Sequence, residues 1–465
     1  MRLPPIINFA KEETVMKAKV MVLLVERKFG ELRGLLIDMP AADIAALIAE
    51  FPNELLPILF RVLPKELAAE TFVEMEPNIQ QNLIEAFSDM ELKAVFDQLF
   101  LDDTVDIIEE MPANVVNRIL RNSSHSTRAA INEALQYPKD SAGSIMTIEY
   151  VDLKADMTVG QAFATIRRTA LDKETIYTCY VVDNARKLIG VISAKTLMLA
   201  DQDQLVGDLM ETNVISGLTT DSKEDVVGQI RKYDFLALPI VDTEHRLVGI
   251  VTVDDAIDVI TEEAERDFAI MAATSPLENS YFSTSVLTHT RKRIIWLFVL
   301  MISATFTGMI ISHYEVAVAG LPILVSFIPM LMDTGGNSGS QTSTLVIRGL
   351  ATSEIRPRDI FKVLFKELRV SALIGLALAL VNSVRMFILY HGEEQILMLI
   401  LTTGITLFFV VVLAKCLGCC LPILAKVLHL DPAIMSSPML TTICDACAVS
   451  LFFWIATRLL HIPVM

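Results

Sequence analysis

The feature that most restricts the fold of this chain is the separation of its apolar segments from most of its charged residues. After Arg291 the sequence contains five long apolar segments, each long enough to cross a bilayer as a helix. Residues 291–465 hold only 13 Lys and Arg and 9 Asp and Glu, whereas residues 1–290 hold the other 26 basic and 47 acidic residues. The sequence therefore predicts an acidic water-soluble part, with a net charge of about −21, followed by a membrane part.

The distribution of Lys and Arg between the apolar segments predicts their orientation. The predicted spans are 294–312, 317–345, 370–390, 396–421 and 433–460. Basic residues precede the first span and lie in the second and fourth links, whereas the other two links, "SHYEVA" and "YHGEEQ", contain none. Basic links stay in the cytoplasm, and the N-terminus lacks a secretory signal pattern. We therefore predict a multi-pass plasma-membrane protein with a cytoplasmic N-terminus and an external C-terminus.

Prolines recur in residues 1–138 at intervals of about one short helix. They are Pro40, Pro52, Pro64 and Pro77. Since the first turn of a helix does not use the N–H that proline lacks, this spacing predicts an all-α superhelical domain built from short helices. Most of its acids are typical of a solvated face. Asp102 and Asp106 share one helical face, however, and such like charges cost stability unless a cation lies between them.

Residues 139–262 contain a duplication. The segments "YVVDNARKLIGVISAKTLMLA" and "PIVDTEHRLVGIVTVDDAIDVI" align without a gap at an offset of 59 residues. Each copy predicts a strand, a turn, a second strand and a helix. The pair resembles CBS domains, α/β modules that are usually regulatory and often bind adenine nucleotides. We place the two domains at 139–200 and 201–262.

The resemblance to CBS domains also implies a nucleotide contact. The S/T-x-x-D motif that contacts ribose in this family matches Thr252 and Asp255 in the second copy. In the first copy the same positions are Ser193 and Thr196, so the acidic residue is missing there. ATP is therefore a possible ligand of the pair, with an incomplete site in the first copy.

Residues 263–290 are predicted to form an acidic connector helix that leads from the duplication to the membrane. It carries Glu263 and Asp267 near its start. An acidic helix of this kind is usually a solvated element. Its position between sensor-like domains and the membrane favours a gating role at least equally.

The second predicted span contains the polar stretch "MLMDTGGNSGSQTSTL". Asp333 in this span and Asp445 in the fifth are the carboxylates within the predicted spans. A charge in hydrocarbon costs at least about 2.5–3.5 kcal/mol on insertion scales, so these residues indicate a path for a polar solute. The neighbouring hydroxyls and amides suit a hydrated cation, whereas the glycines are also typical of close helix packing. Asp333 either belongs to this path or caps a break in the helix.

Five of the six cysteines lie in the predicted spans, where they form two C-x-x-C spacings. No His or further Cys completes a metal ligand set nearby. We therefore interpret these cysteines as small packing residues.

The segments "FIPMLMDTGGNSGSQTSTLVIRGL" and "DPAIMSSPMLTTICDACA", with the CBS-like pair and the helical N domain, resemble the MgtE-type magnesium channels over nearly the whole chain. The resemblance implies a homodimer in the lipid bilayer, with a pore between subunits lined by the second and fifth spans. It places the filter aspartate at Asp445 and the T-G-G-N segment at Thr334, Gly335, Gly336 and Asn337. The family commonly has a threonine where this chain has Cys447, which leaves the fine ion selectivity open.

The same resemblance implies that cytosolic Mg2+ closes the channel, so that Mg2+ is both transported and regulatory. The matching acidic positions are Glu70, Asp102, Asp106, Asp234, Asp255, Asp258, Glu263, Asp267 and Asp431.

The sequence thus predicts a multidomain chain with an all-α superhelical N domain, an α/β CBS-domain pair and an α-helical transmembrane domain in residues 291–465. No G-x-x-x-x-G-K-[ST] motif is present, which argues against an ATP-hydrolysing enzyme. The acidic soluble part argues against nucleic acid as a partner. One alternative is a secondary transporter that exchanges Mg2+, Co2+ or Mn2+ against Na+ or H+. Another is a membrane-anchored nucleotide sensor.

Overall fold

The computed structural model describes residues 9–277, 281–282, 284–314, 322–352, 354–390, 395–435 and 437–461. The chain divides into two compact units, Met1–Thr261 and Glu262–Met465.

The described part of the first unit begins with ten helices, most of them short. They are α1 (Phe9–Val25), α2 (Phe29–Leu36), α3 (Ala41–Ala49), α4 (Leu56–Val62), α5 (Lys65–Val73), α6 (Pro77–Ala86), α7 (Asp89–Phe96), α8 (Leu101–Glu110), α9 (Ala113–Asn122) and α10 (His125–Ala134). Helices two positions apart in sequence pack together, as α3 does on α5 and α5 on α7. One apolar core runs from Val20 to Ala134. This stacking confirms the predicted superhelical N domain.

Most of the recurring prolines begin helices, as the sequence predicted. Pro40 and Pro64 are the N-cap residues of α3 and α5, and Pro77 is the first residue of α6. Pro52 instead lies in the link before α4, whose first turn contains Pro57. The fixed φ of proline thus sets where these short helices start.

Two three-stranded sheets follow, one in each copy of the duplication. The strands are β1 (Asp152–Leu153), β2 (Thr178–Val182), β3 (Leu188–Ser193), β4 (Gly217–Leu218), β5 (Ala237–Val241) and β6 (Leu247–Thr252), and the helices are α11 (Val159–Thr169), α12 (Ala194–Leu199), α13 (Val206–Leu209) and α14 (Lys223–Tyr233). In each sheet the first pair of strands is parallel and the second pair antiparallel. β5 and β6 follow β2 and β3 at the same offset of 59 residues, which confirms the α/β duplication.

Helix α15 (Val253–Met271) follows β6 directly. It therefore runs through the boundary predicted at residue 262, and the expectation of one connector helix over 263–290 is wrong. Beyond Met271 the chain ends the helix in a Schellman-like pattern, with φ of 52° at Ala273 and the Thr274 N–H donating to the Ala269 carbonyl at 2.9 Å. Pro276, shortly after this ending, disfavours any continuation of the helix.

The described part of the second unit contains five long helices. They are α16 (Val286–His313), α17 (Ile328–Ala351), α18 (Ile360–Leu389), α19 (Ile396–Val427) and α20 (Ser437–Leu459). Short 3-10 segments precede three of them, at Pro322–Phe327, Pro357–Asp359 and Pro432–Met435. α17 packs against α19 and α20, α18 packs against α19, and α16 packs against α20. The membrane part is therefore α-helical, as predicted.

Four stretches of the described chain are long and apolar enough to cross a membrane: Val286–His313, Pro357–Leu389, Ile396–Val427 and Pro432–Leu459. α17 is not among them because its middle is polar, although its 24 residues rise about 36 Å. The count of five spans therefore stays a prediction. The span predicted at 317–345 is misplaced, since the helix begins at Ile328 and ends at Ala351; residues 317–321 lie outside the described part.

Candidate functional site

The membrane unit brings two carboxylates together on the packed helices α17 and α20. Asp333 is exposed on α17, and Asn337, one turn later, donates from Nδ2 to Asp333 Oδ1 at 3.0 Å. Asp445 is half-buried on α20 and close enough to Asp333 for the two charges to repel each other. Three predicted pore residues thus share one region, where a cation would offset the repulsion.

The glycines beside these residues allow close contact between helices. A Cβ on Gly336 would lie 2.9 Å from Thr441 Cγ2 of α20, and one on Gly335 would lie 2.9 Å from Val410 Cγ1 of α19. α17 is unbroken here, so the alternative in which Asp333 caps a helix break is wrong. The two glycines therefore allow the close helix packing that small residues give. Their role in lining the pore stays a prediction, as does that of the half-buried Thr334.

A second group of carboxyls lies in the first unit, where α8, α15 and a link before β2 come together. Asp102 on α8 is buried, and its Oδ1 accepts the N–H of Asp103 at 3.0 Å. Asp255 on α15 is half-buried, and Glu174 comes from the link. The Oε2 atom of Glu174 is buried without a hydrogen-bond partner among the described residues. We name these four residues the cytosolic acidic cluster.

Burial and mutual repulsion change the ionisation of the whole cluster. Burial, followed by the charge of Asp255, raises the pKa of Asp102 well above its usual range. Burial and then Asp255 raise the pKa of Asp103 to about 6, and burial and then Asp103 raise that of Glu174 to about 8. The pKa of Asp255 rises to about 6, chiefly through burial. The four carboxyl groups therefore repel one another when ionised, and a bound cation would stabilise their ionised form.

The structure separates the predicted regulatory acids into several places. Asp102 and Asp255 belong to the cluster, and the charge of Asp258 contributes to the raised pKa of Asp103. Glu70 is exposed on α5, and Asp234 is exposed at the end of α14. Of the other predicted acids, Asp106 is one turn from Asp102 on α8, Glu263 and Asp267 are farther along α15, and Asp431 accepts the Ala433 N–H at 2.8 Å.

Sequence reasoning missed two members of the cluster, Asp103 and Glu174. Asp103 is the immediate neighbour of a predicted residue, but Glu174 lies in a link with no motif to mark it. Within the described ranges, no three His, Cys, Asp or Glu side chains are arranged to hold a metal ion directly. The cluster thus offers oxygens to a cation without a complete inner ligand set.

The two S/T-x-x-D motifs are engaged in local hydrogen bonds. Thr252 Oγ1 donates to Asp255 Oδ2 at 2.5 Å, and the hydroxyls of Ser193 and Thr196 lie 2.8 Å apart. Asp255 also lies within the acidic cluster, which would repel a polyphosphate. The contact of the second motif with ATP therefore stays a prediction.

Comparison with known proteins covers both units. The family described as "Divalent cation transporter" matches residues 328–455, "MgtE intracellular N domain" matches 39–140, and "CBS domain" matches 142–203 and 206–262. The magnesium transporter MgtE of Thermus thermophilus is 34% identical over 434 residues, which cover 92% of this chain and 95% of the relative. The chain belongs to the MgtE family of magnesium transporters.

Further relatives of the MgtE family agree with this assignment. The magnesium transporter MgtE of Bacillus subtilis is 30% identical over 98% of this chain and 99% of its own length. A solved structure of the cytosolic domain of the Mg2+ channel MgtE in complex with ATP has 35% identity and a TM-score of 0.50, and covers 52% of this chain and 99% of that one. A soluble part of a magnesium transporter has 31% identity and a TM-score of 0.51, and covers 54% of this chain and 99% of that one. These matches agree with the N domain and CBS pair described above.

For this MgtE chain we expect Asp333→Ala to cause a partial defect, lowering Mg2+ uptake about 3- to 10-fold. The change removes one of two nearby negative charges and the hydrogen-bond partner of Asn337. Uptake into proteoliposomes, followed with a Mg2+-sensitive dye, measures the effect. Thr305→Ala, at an exposed position of α16 outside this polar stretch, is the control. A loss as complete as that of Asp445→Ala would show that the two carboxylates were ranked wrongly.

We expect Glu174→Gln to stabilise the metal-free protein at pH 8. Burial and the neighbouring carboxylates raise the pKa of Glu174 in the folded state to about 8 from its ordinary 4.5, so the folded state retains a proton that the unfolded state loses. The cluster therefore costs stability progressively as pH rises from about 4.5 to about 8. After discounting for partial exposure, we expect a gain of about 1–2 kcal/mol, or a rise of several degrees in melting temperature.

Thermal melts of wild type and Glu174→Gln at pH 5 and pH 8, with and without Mg2+, measure this effect. The difference should nearly vanish at pH 5, and added Mg2+ should raise the melting temperature of the wild type more than that of the variant. Glu211→Gln, which changes a carboxyl at an exposed position outside the cluster, is the control. A variant that is destabilised at pH 8 would contradict the expectation.

Proposed function

We propose that this chain is a Mg2+-selective channel that mediates magnesium uptake across the plasma membrane. The observation that carries the proposal is the charge interaction of Asp445 on α20 with Asp333 on α17, whose carboxylate also accepts a hydrogen bond from Asn337. These residues lie within the region that matches the divalent cation transporter family. A pair of carboxylates among apolar helices provides negative potential where a cation would otherwise have no favourable environment.

The chemistry of these groups suits a hydrated Mg2+ ion. Mg2+ loses its water reluctantly and prefers octahedral oxygen coordination at about 2.0–2.1 Å. We propose that two copies of Asp445, one from each subunit of a homodimer, hold the ion through its water shell. Asn337, through its amide oxygen, and Thr334, through its hydroxyl oxygen, would accept hydrogen bonds from that water.

We further propose that cytosolic Mg2+ closes the channel by binding to the acidic groups of the first unit and of α15. The raised pKa values of Asp103, Glu174 and Asp255 support a cluster that a cation would stabilise. The unpartnered Oε2 of Glu174 supports it as well. Because the carboxyls form no complete inner ligand set in the described residues, weak binding through water is the expected mode.

The proposed topology places the N-terminus and both CBS domains in the cytoplasm and the C-terminus outside, as the distribution of Lys and Arg favours. We do not assign ATP to Thr252 and Asp255, because the Thr252 hydroxyl donates a hydrogen bond to Asp255 and Asp255 belongs to the cytosolic acidic cluster.

Recordings from planar bilayers that contain the purified full-length protein test the proposal. With Mg2+ as the only permeant cation and no Na+ or H+ gradient, a channel should give unitary currents. These currents should decline as Mg2+ on the cytosolic side rises. The alternative, a secondary transporter, predicts uptake that requires a Na+ or H+ gradient and shows no unitary currents. Uptake that follows such a gradient in stoichiometric proportion would overturn the channel assignment.

A further inference from the structure

An ion pair and a threonine hydroxyl connect three helices of the membrane unit. Lys415 on α19 and Glu367 on α18 have side-chain exposures of 5% and 14%, and Nζ lies 4.0 Å from Oε2. Thr342 on α17 connects them: its hydroxyl donates to Glu367 Oε2 at 2.9 Å and accepts from Lys415 Nζ at 3.1 Å. We name these three residues the buried trio.

The buried trio is costly unless all of its members are present. Lys415 and Glu367 lie in two of the stretches that are apolar enough to cross a membrane. Removing one charge would leave the other buried and uncompensated, which is far more destabilising than removing both. Because a hydroxyl both donates and accepts, Thr342 satisfies the carboxylate and the ammonium at once. The trio therefore holds α17, α18 and α19 in one arrangement.

Close backbone contact lies next to the trio. A Cβ on Gly339 of α17 would lie 3.1 Å from the Ala414 carbonyl of α19, and one on Gly418 would collide with the Gly339 carbonyl. Packing of this kind fixes how near the two helices approach, whereas directional hydrogen bonds fix how far one is displaced along the other. The trio supplies that second restraint.

The residue after Thr342 ties α17 to the start of α20. Ser343 Oγ donates to the Met435 carbonyl at 2.8 Å, and Met435 belongs to the 3-10 segment before α20. Two adjacent residues of α17 thus contact the buried charges on one side and the approach to α20 on the other. Asp333 lies on α17 and Asp445 on α20.

We propose that Thr342, Glu367 and Lys415 are positioning residues that set the axial register of α17 against α18 and α19, and that the Ser343 hydrogen bond to Met435 carries this register to the start of α20. They thereby fix the separation of Asp333 from Asp445. The expected effect on uptake rests on the proposed Mg2+ transport, whereas the register itself does not.

Thr342→Val in the full-length protein tests the register with the smallest change, since it removes the hydroxyl and keeps the shape. Thr305→Val, at an exposed position of α16 where the hydroxyl donates only to the Met301 carbonyl of its own helix, is the matched control. The loss of these hydrogen bonds should lower Mg2+ uptake about 3- to 10-fold or shift its half-saturation by a similar factor. The control should match the wild type.

The native thiol of Cys447, half-buried two residues after Asp445, supplies a readout that does not depend on transport. Its rate of modification by a charged methanethiosulfonate, followed by mass spectrometry, reports the position of α20 beside α17. A changed register should alter this rate about threefold or more in Thr342→Val and leave it unchanged in Thr305→Val.

A charge exchange completes the experiment. Lys415→Glu and Glu367→Lys should each lower uptake at least about tenfold, and the double variant should recover most of it because the hydroxyl of Thr342 serves either arrangement. Thr342→Val with wild-type uptake and wild-type Cys447 reactivity would overturn the proposal, even if the single charge variants failed to fold. If the wild type carried no Mg2+, the proposed function would fail, and the Cys447 rates would still decide the register.

Discussion

Asp445→Ala is expected to reduce Mg2+ uptake to about one hundredth of the wild-type rate or less, while the protein still inserts and dimerises. This loss corresponds to at least about 2.7 kcal/mol. Asp445 is half-buried on α20 and close to Asp333, so its removal takes one of two carboxylates from a place where a hydrated cation needs negative potential. Uptake by proteoliposomes loaded with a Mg2+-sensitive dye measures the loss, and size-exclusion chromatography checks assembly.

Two further variants separate charge from shape at this position. Asp445→Asn should also lose most of the uptake, because it keeps the shape of the side chain and removes the charge. Ser450→Ala, which removes a hydrogen bond to the Ala446 carbonyl on the same helix, should transport normally. Uptake near the wild-type rate from Asp445→Ala would exclude Asp445 from the ion path.

The second large effect concerns closure by cytosolic Mg2+. Neutralising Asp255 and Asp258 together, or deleting residues 1–262, should leave a pore that conducts at internal Mg2+ concentrations that close the intact protein. A site at tenfold its dissociation constant contributes about 1.4 kcal/mol. About four such sites supply the roughly 5.5 kcal/mol that moves a two-state gate from 1:99 to 99:1. Several weak sites therefore suffice, and closure should be steep in Mg2+.

Patch recordings with stepped cytosolic Mg2+ measure this closure. Asp201→Asn combined with Asp203→Asn removes two exposed carboxylates of the same unit and should leave the closing concentration unchanged. If the Asp255 and Asp258 variant, or the deletion, still closed at the wild-type concentration, the sensor would lie outside the proposed acidic groups.

Features with a local cause were predictable from the sequence. The offset between the two CBS copies appears unchanged in the strand bounds, because β-hairpins and their turns follow from residues close in sequence. Pro40 and Pro64 start helices for an equally local reason. The ends of α17 were misjudged because hydropathy alone included residues before Pro322 and stopped short of Ala351, where the helix continues through less apolar residues.

Features that depend on distant residues were not predictable. Lys415 appeared as a single charge in an apolar run, and nothing in the sequence marked Glu367 and Thr342, on two other helices, as its partners. Glu174 was missed for the same reason, since its importance comes from its approach to Asp103. A carboxylate inside an apolar span can be recognised from sequence, but the partner of a buried charge depends on how helices pack.

Helix α15 has a mechanical consequence, because it follows strand β6 directly and continues past Thr261 to Met271. Twelve residues separate Asp255 from Asp267 on this helix, so the helical rise places them about 18 Å apart along the axis and the helical twist fixes the angle between their side chains. One residue inserted between them would turn every later side chain by about 100°, whereas one inserted after Met271 would not alter the helix. The number of residues in α15 between these two positions therefore sets the direction in which Asp267 points relative to Asp255.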